Sequence, residues 1–80
     1  NYGWHALNGP NYVPIILNSA NEIAVDLFLN KRINFISIIE IIDKCLNDQK
    51  FNSANSLEEV LEIDKLSRLF AKKIAEKFYV

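Results

Sequence analysis

Residues 14–30 read PIILNSANEIAVDLFLN, and the reading of this stretch decides the fold. Projected at about 100° per residue, Ile16, Leu17, Ala20, Ile23, Ala24, Leu27 and Phe28 fall on one side. Asn18, Glu22, Asp26 and Asn30 lie mainly on the other. That is the pattern of an amphipathic helix packed on a core. Pro14 suits the first turn, where its missing N–H is no loss. The stretch predicts a helix over about 14–29. Its exit is the polar run Asn30-Lys31-Arg32, whose cations suit the negative end of the helix dipole.

Downstream, Ile33-Asn34-Phe35 is a connector of the length that joins antiparallel helices. FISIIEIIDKCLND follows. Its five isoleucines between Ile36 and Ile42 favour a strand on propensity. Periodicity favours a helix over about 37–47. Ser37, Glu40, Asp43, Lys44 and Asn47 share one arc, and Ile38, Ile39, Ile41, Ile42, Cys45 and Leu46 share the opposite one. Asn34 or Ser37 serves as N-cap. Residues 49–55 are polar and rich in Ser and Asn, a loop. Ser56-Leu57-Glu58-Glu59 then fits a capping box. Leu57, Val60 and Leu61 form one stripe, while Ser67, Phe70, Ala71, Ile74 and Phe78 form another that has moved round the helix. This shift predicts a short helix at 57–63, a break near Ile63-Asp64, and a longer helix at 64–78. Asp64 would cap the second piece or pair with Arg68 one turn on. The fold class is all-α, a small antiparallel helical bundle over residues 14–80.

Upstream, Tyr2, Trp4, Ala6 and Leu7 are apolar but too few for a stable element, and Gly9-Pro10-Asn11 is a turn signal. Residues 1–13 therefore read as a truncated lead-in from a larger chain. Eighty residues make one small domain, and such a chain buries only about 60% of its unfolded surface. Half the residues are hydrophobic, enough to suggest that some apolar surface meets something outside the segment. Nine basic and ten acidic residues give a net charge of −1, with no electrostatic footprint for nucleic acid or an anionic membrane. The longest unbroken apolar run is too short for a bilayer.

Convergent chemistry is sparse. His5 is the one histidine, and without a second His or a Cys at ligand spacing no zinc site can be written. Cys45 lies on an apolar arc, where a thiol packs as a small hydrophobe. Glu22 and Asp26 stand one turn apart and could hold a divalent ion, though such pairs more often form a solvated face. Lys72, Lys73 and Lys77 are too few for a nucleic-acid surface and lack stacking aromatics. Neither glycine, Gly3 or Gly9, builds a phosphate loop. No catalytic, cofactor-binding or metal residue is assigned. Asn18, Asn21 and Glu22 put hydrogen-bonding capacity on a helix whose other face is apolar. With Ser56, Asp64 and Arg68 they are the candidate structural or domain-interface residues.

The string VPIILNSANEIAVDLFLNKRINF resembles the C-terminal region of 1-deoxy-D-xylulose 5-phosphate reductoisomerases. The matching positions are Pro14, Leu17, Asn18, Ala20, Asn21, Glu22, Ala24, Val25, Phe28, Leu29, Arg32, Ile33 and Phe35, with Ser19 standing where that family has alanine. SLEEVLEIDKLSR is similar to a second motif of the same family, with Ser67 at another usual alanine. The resemblance implies a parent chain with an NADPH-binding domain, a catalytic domain and this helical domain. It implies the NADPH-dependent conversion of 1-deoxy-D-xylulose 5-phosphate to 2-C-methyl-D-erythritol 4-phosphate in the non-mevalonate isoprenoid pathway, with Mg or Mn. The implied partners are the catalytic and NADPH-binding domains of the same chain, in a homodimeric parent. The implied location is the bacterial cytoplasm or a plastid-type organelle. Catalytic motifs of that family match nothing here, so the segment is expected to be non-catalytic. The alternatives are a free-standing helical protein-interaction module and, more remotely, a small metal-assisted enzyme using Glu22 and Asp26.

Overall fold

The computed structural model describes residues 11–80. The lead-in residues up to Pro10, with Trp4 and His5, lie outside the described residues. Three α-helices follow in order: α1 at Tyr12–Leu29, α2 at Phe35–Asp48 and α3 at Leu57–Ala75. A 3₁₀ turn, Glu76–Phe78, closes the last. The described residues hold no strand, so the isoleucine-rich stretch is helical, as its period requires. α1 begins two residues before Pro14 and packs on both other helices. By length and mean hydropathy (18 residues, 1.2) it could cross a membrane. It carries Glu22 and Asp26, however, and in this fold it is the shared core helix of the bundle.

The core combines small and branched residues. Ala20 and Ala24 of α1 and Ala71 and Ala75 of α3 are fully buried, as are Ser19 and Ser67. Small side chains let two helices approach closely. Ile16, Ile33, Ile41, Ile42, Ile63 and Ile74 fill the space around them. Each such isoleucine, cut to alanine, would cost about 2–5 kcal/mol.

Three expectations need correction. α3 does not break at Ile63-Asp64; it runs unbroken from Leu57 to Ala75. The two stripes need no common partner, because Leu57 and Leu61 face solvent while Ile63, Ser67, Ala71, Ile74 and Ala75 form the buried row. Asp64, moreover, is taken up by side chains instead of capping a new helix. α2 is longer than 37–47, and its buried arc is rotated: Ser37 is only 7% exposed, whereas Ile39 is 55% exposed. Ser37 is therefore not a cap. Asn34 is, with extended backbone, and its carbonyl accepts from the Ser37 N–H at 3.1 Å.

The helix ends are held by specific devices. α1 closes in a Schellman turn: Lys31 N–H reaches the Phe28 carbonyl at 3.0 Å and Arg32 N–H the Leu27 carbonyl at 2.8 Å. Lys31 takes the left-handed conformation this needs, φ 62°, at a position where glycine is usual. At the start of α3, Ser56 Oγ accepts from the Glu59 N–H at 3.2 Å, and the Glu59 carboxylate accepts from the Asn55 N–H at 2.6 Å. The box is thus shifted by one residue on its return bond. The loop before α3 is tied back to α1 by Asn11, whose amide donates to the Ala54 carbonyl at 2.7 Å and accepts from its N–H at 2.9 Å.

Two substitutions test this account. Lys31→Gly relieves the left-handed turn and should raise stability by about 0.5–1 kcal/mol. Ser67 Oγ is buried with no hydrogen-bond partner among the described residues, so Ser67→Ala should add about 1 kcal/mol. Urea midpoints measure both, and a lower midpoint in either variant contradicts the corresponding geometry.

Candidate functional site

The polar residues singled out on α1 and α3 converge on one seam. Arg68 reaches across from α3 and donates to Glu22 through Nη2 at 2.6 Å. Its Nε donates to both oxygens of Asp64, one turn earlier, at 3.1 and 3.0 Å. Ser19 on α1 donates to Asp64 Oδ1, with the Ile15 carbonyl also 2.8 Å from its hydroxyl. Asn18 extends the row, its amide 3.5 Å from Glu22 Oε1. Because Ser19 meets Asp64 and Glu22 meets Arg68, α1 and α3 run in the same direction, and α2 returns between them in sequence.

The electrostatics follow from these contacts. The Ser19 hydroxyl, then the Arg68 guanidinium, hold the Asp64 carboxyl below its ordinary value, against the opposing effect of burial. Arg68 is pushed up, first by its bond to Glu22 and then by Asp64. Cys45 stands apart: burial, with Asp48 adding to it, drives the thiol up to about 11, leaving almost no thiolate.

Of the six candidates, Asn18, Glu22, Asp64 and Arg68 belong to this seam, and Ser56 lies at the start of α3. Asn21 is exposed and lines a shallow concavity with Pro14, Leu17 and Asn18. The sequence reading missed Ser19, noted there only as standing where the resembled family has alanine. A hydroxyl within an otherwise apolar row was the signal. It also missed the Asn11 clamp, which no local pattern announces. Glu22 and Asp26 turn to different partners, Arg68 and Asn30. Among the described residues no three metal-ligating side chains gather.

A family model described as the DXP reductoisomerase C-terminal domain matches residues 1–70. The chain belongs to the DXP reductoisomerase C-terminal domain family. It is 44% identical over 70 residues, 88% of its length, to a 1-deoxy-D-xylulose 5-phosphate reductoisomerase of Thermodesulfovibrio yellowstonii. It is 41% identical over 75 residues, 94% of its length, to the enzyme of that name from Ruthia magnifica. A Bacillus cereus relative of the same name is 45% identical over 58 residues, 72% of the chain. The matches cover 18%, 20% and 15% of those relatives, so the chain spans about a fifth of their length or less. No solved structure matches it. The two stretches that carry the family resemblance are the two that Arg68 and Ser19 join.

For Asp64 the consequence is a pH dependence with a definite sign. A depressed carboxyl stabilises the fold above its unfolded value, about 3.9, and that contribution disappears as pH falls through the lower folded value. Stability should drop below about pH 4. Asp64→Asn should lose about 1–2 kcal/mol at neutral pH and show a smaller further loss in acid. Denaturant titrations at pH 7 and in acid check both. An equal acid loss in the variant would place the titrating group elsewhere.

Proposed function

We propose that these residues form the C-terminal structural domain of a 1-deoxy-D-xylulose 5-phosphate reductoisomerase. The whole polypeptide would convert 1-deoxy-D-xylulose 5-phosphate to 2-C-methyl-D-erythritol 4-phosphate with NADPH and a divalent metal ion. The family match, with relatives of that name over most of the chain, carries the reading. Neither NADPH nor the metal finds a fitting set of groups among the described residues. Glu22 and Asp64 are tied to one arginine, and no three ligands gather. On this reading both groups are held by other parts of the polypeptide, and the segment alone would be inactive. The bacterial relatives support a cytoplasmic location.

Glu22, Asp64 and Arg68 fasten α1 to α3 and Ser56 caps α3, which leaves exposed Asn21 on α1, beside Asn18, to meet a neighbouring domain. The complete polypeptide should oxidise NADPH only when 1-deoxy-D-xylulose 5-phosphate is supplied. Residues 1–80 alone should bind neither NADPH nor Mn²⁺ by calorimetry. Tight NADPH binding by the segment would reverse the division of roles.

A further inference from the structure

The loop between α2 and α3 has no backbone ladder of its own. Among the described residues, the main chain of 50–55 bonds to no other main-chain group. Main-chain N–H and C=O groups need partners, and the ones met here are met by side chains. Ala54 gives its N–H to the Asn11 side chain at 2.9 Å and accepts from the same carboxamide at 2.7 Å. Asn55 gives its N–H to the Glu59 carboxylate at 2.6 Å. Phe51 rests edge to face on Tyr12, with centroids 5.8 Å apart. Two neighbours at the start of α1 thus hold the loop from one side, and Glu59 of α3 holds it from the other.

Asn11 stands at the N-cap position of α1, where an asparagine ordinarily bonds back to its own helix. Its side chain makes no such bond. The carboxamide instead serves both main-chain groups of a residue 43 positions away. A carboxylate of the same size offers only acceptors and could not do this. Behind the loop lies Ile63, 6% exposed, which lines a concavity of about 180 Å³ with Phe51, Asn52, Ser53 and Leu66.

We infer that residues 50–55 are a strap that opens as one unit, hinged at Gln49 and Ser56, with the Asn11 carboxamide as its latch. Both hinges are held by the helices they border. Gln49 Nε2 donates to the Cys45 carbonyl at 3.3 Å, and Ser56 caps α3. Opening breaks the two Asn11 bonds and the Glu59 bond and leaves the hydrogen bonds within the helices in place. It uncovers Phe51 and Ile63. The preceding chain enters α1 through Asn11, so displacement of that chain releases the latch. The strap thereby relays the position of the incoming chain to the start of α3.

Hydrogen exchange of the complete polypeptide, read amide by amide by mass spectrometry, tests this. Asn11→Asp keeps a residue that suits the N-cap of α1 equally but removes the donor to the Ala54 carbonyl. The Ala54 and Asn55 amides should both exchange about tenfold or more faster in the variant, although the Asn55 N–H is bonded to Glu59 and not to Asn11. Amides of α2 and of 63–75 in α3 should keep their rates. In the unaltered polypeptide, low urea should leave the Ala54 and Asn55 rates unchanged, since a local opening exposes little surface. A faster Ala54 with an unchanged Asn55 overturns the inference, because the loop is then not one unit. Equal acceleration throughout both helices overturns it too, as do unchanged rates in the variant. So do unaltered Ala54 and Asn55 amides that exchange as fast as unstructured chain.

Discussion

Two helices lie close together only where the residues between them are small, and that constraint governs this domain. α1 buries Ser19, Ala20 and Ala24, and α3 buries Ser67, Ala71 and Ala75, all without residual exposure. Burial of the surrounding isoleucines supplies the bulk of the stabilisation. Small side chains, however, say little about where along its axis one helix should sit on the other. The polar seam provides that. Arg68 can satisfy Glu22 and Asp64 together only when the helices are parallel and in one register. Exposed ion pairs contribute little energy, and Arg68 and Glu22 keep 34% and 51% of their side-chain surface in solvent. The Arg68–Glu22 pair is therefore better described as a register device than as a source of stability.

Much of this was legible in the sequence, and the failures share a cause. Helix existence followed from the 3.6-residue period, which outweighed the strand propensity of the isoleucines in α2. The capping motif at Ser56 and the pairing of Asp64 with Arg68 were readable because both are local, spanning one turn. The break at Ile63-Asp64 came from the assumption that every apolar stripe is buried. Leu57 and Leu61 are not, so α3 had nothing to reconcile. The same assumption turned α2 by part of a revolution and put Ile39 inside and Ser37 outside. Periodicity finds the apolar arc of a helix. It does not tell which part of a wide arc the chain's own core will take.

The candidate site was legible as a residue list and not as a constellation. Glu22 and Arg68 are 46 positions apart, and Ser19 and Asp64 are 45 apart; no spacing rule links them. Family resemblance had marked the two stretches as a pair. The structure joins them in this chain: one carries Asp64 and the arginine, the other the glutamate and the serine. Ser19 stands where the resembled family has alanine, so the bond from its hydroxyl to Asp64 is a feature of this chain that an alanine could not reproduce.

The distribution of titratable groups bears on what the segment does. A reacting group must be left available at a shifted pKa near its working pH. Here the perturbed groups are committed elsewhere. Asp64 is held ionised by a hydroxyl and a guanidinium, Arg68 is held charged by two carboxylates, and Cys45 is held neutral by burial. Each shift moves the group away from proton transfer near neutrality. Shifted pKa values often mark an active site, but those raised or lowered by static pairing mark a fastening. What these fastenings leave out is apolar: Ile36 and Ile39 of α2 and Leu57 and Leu61 of α3 stay exposed.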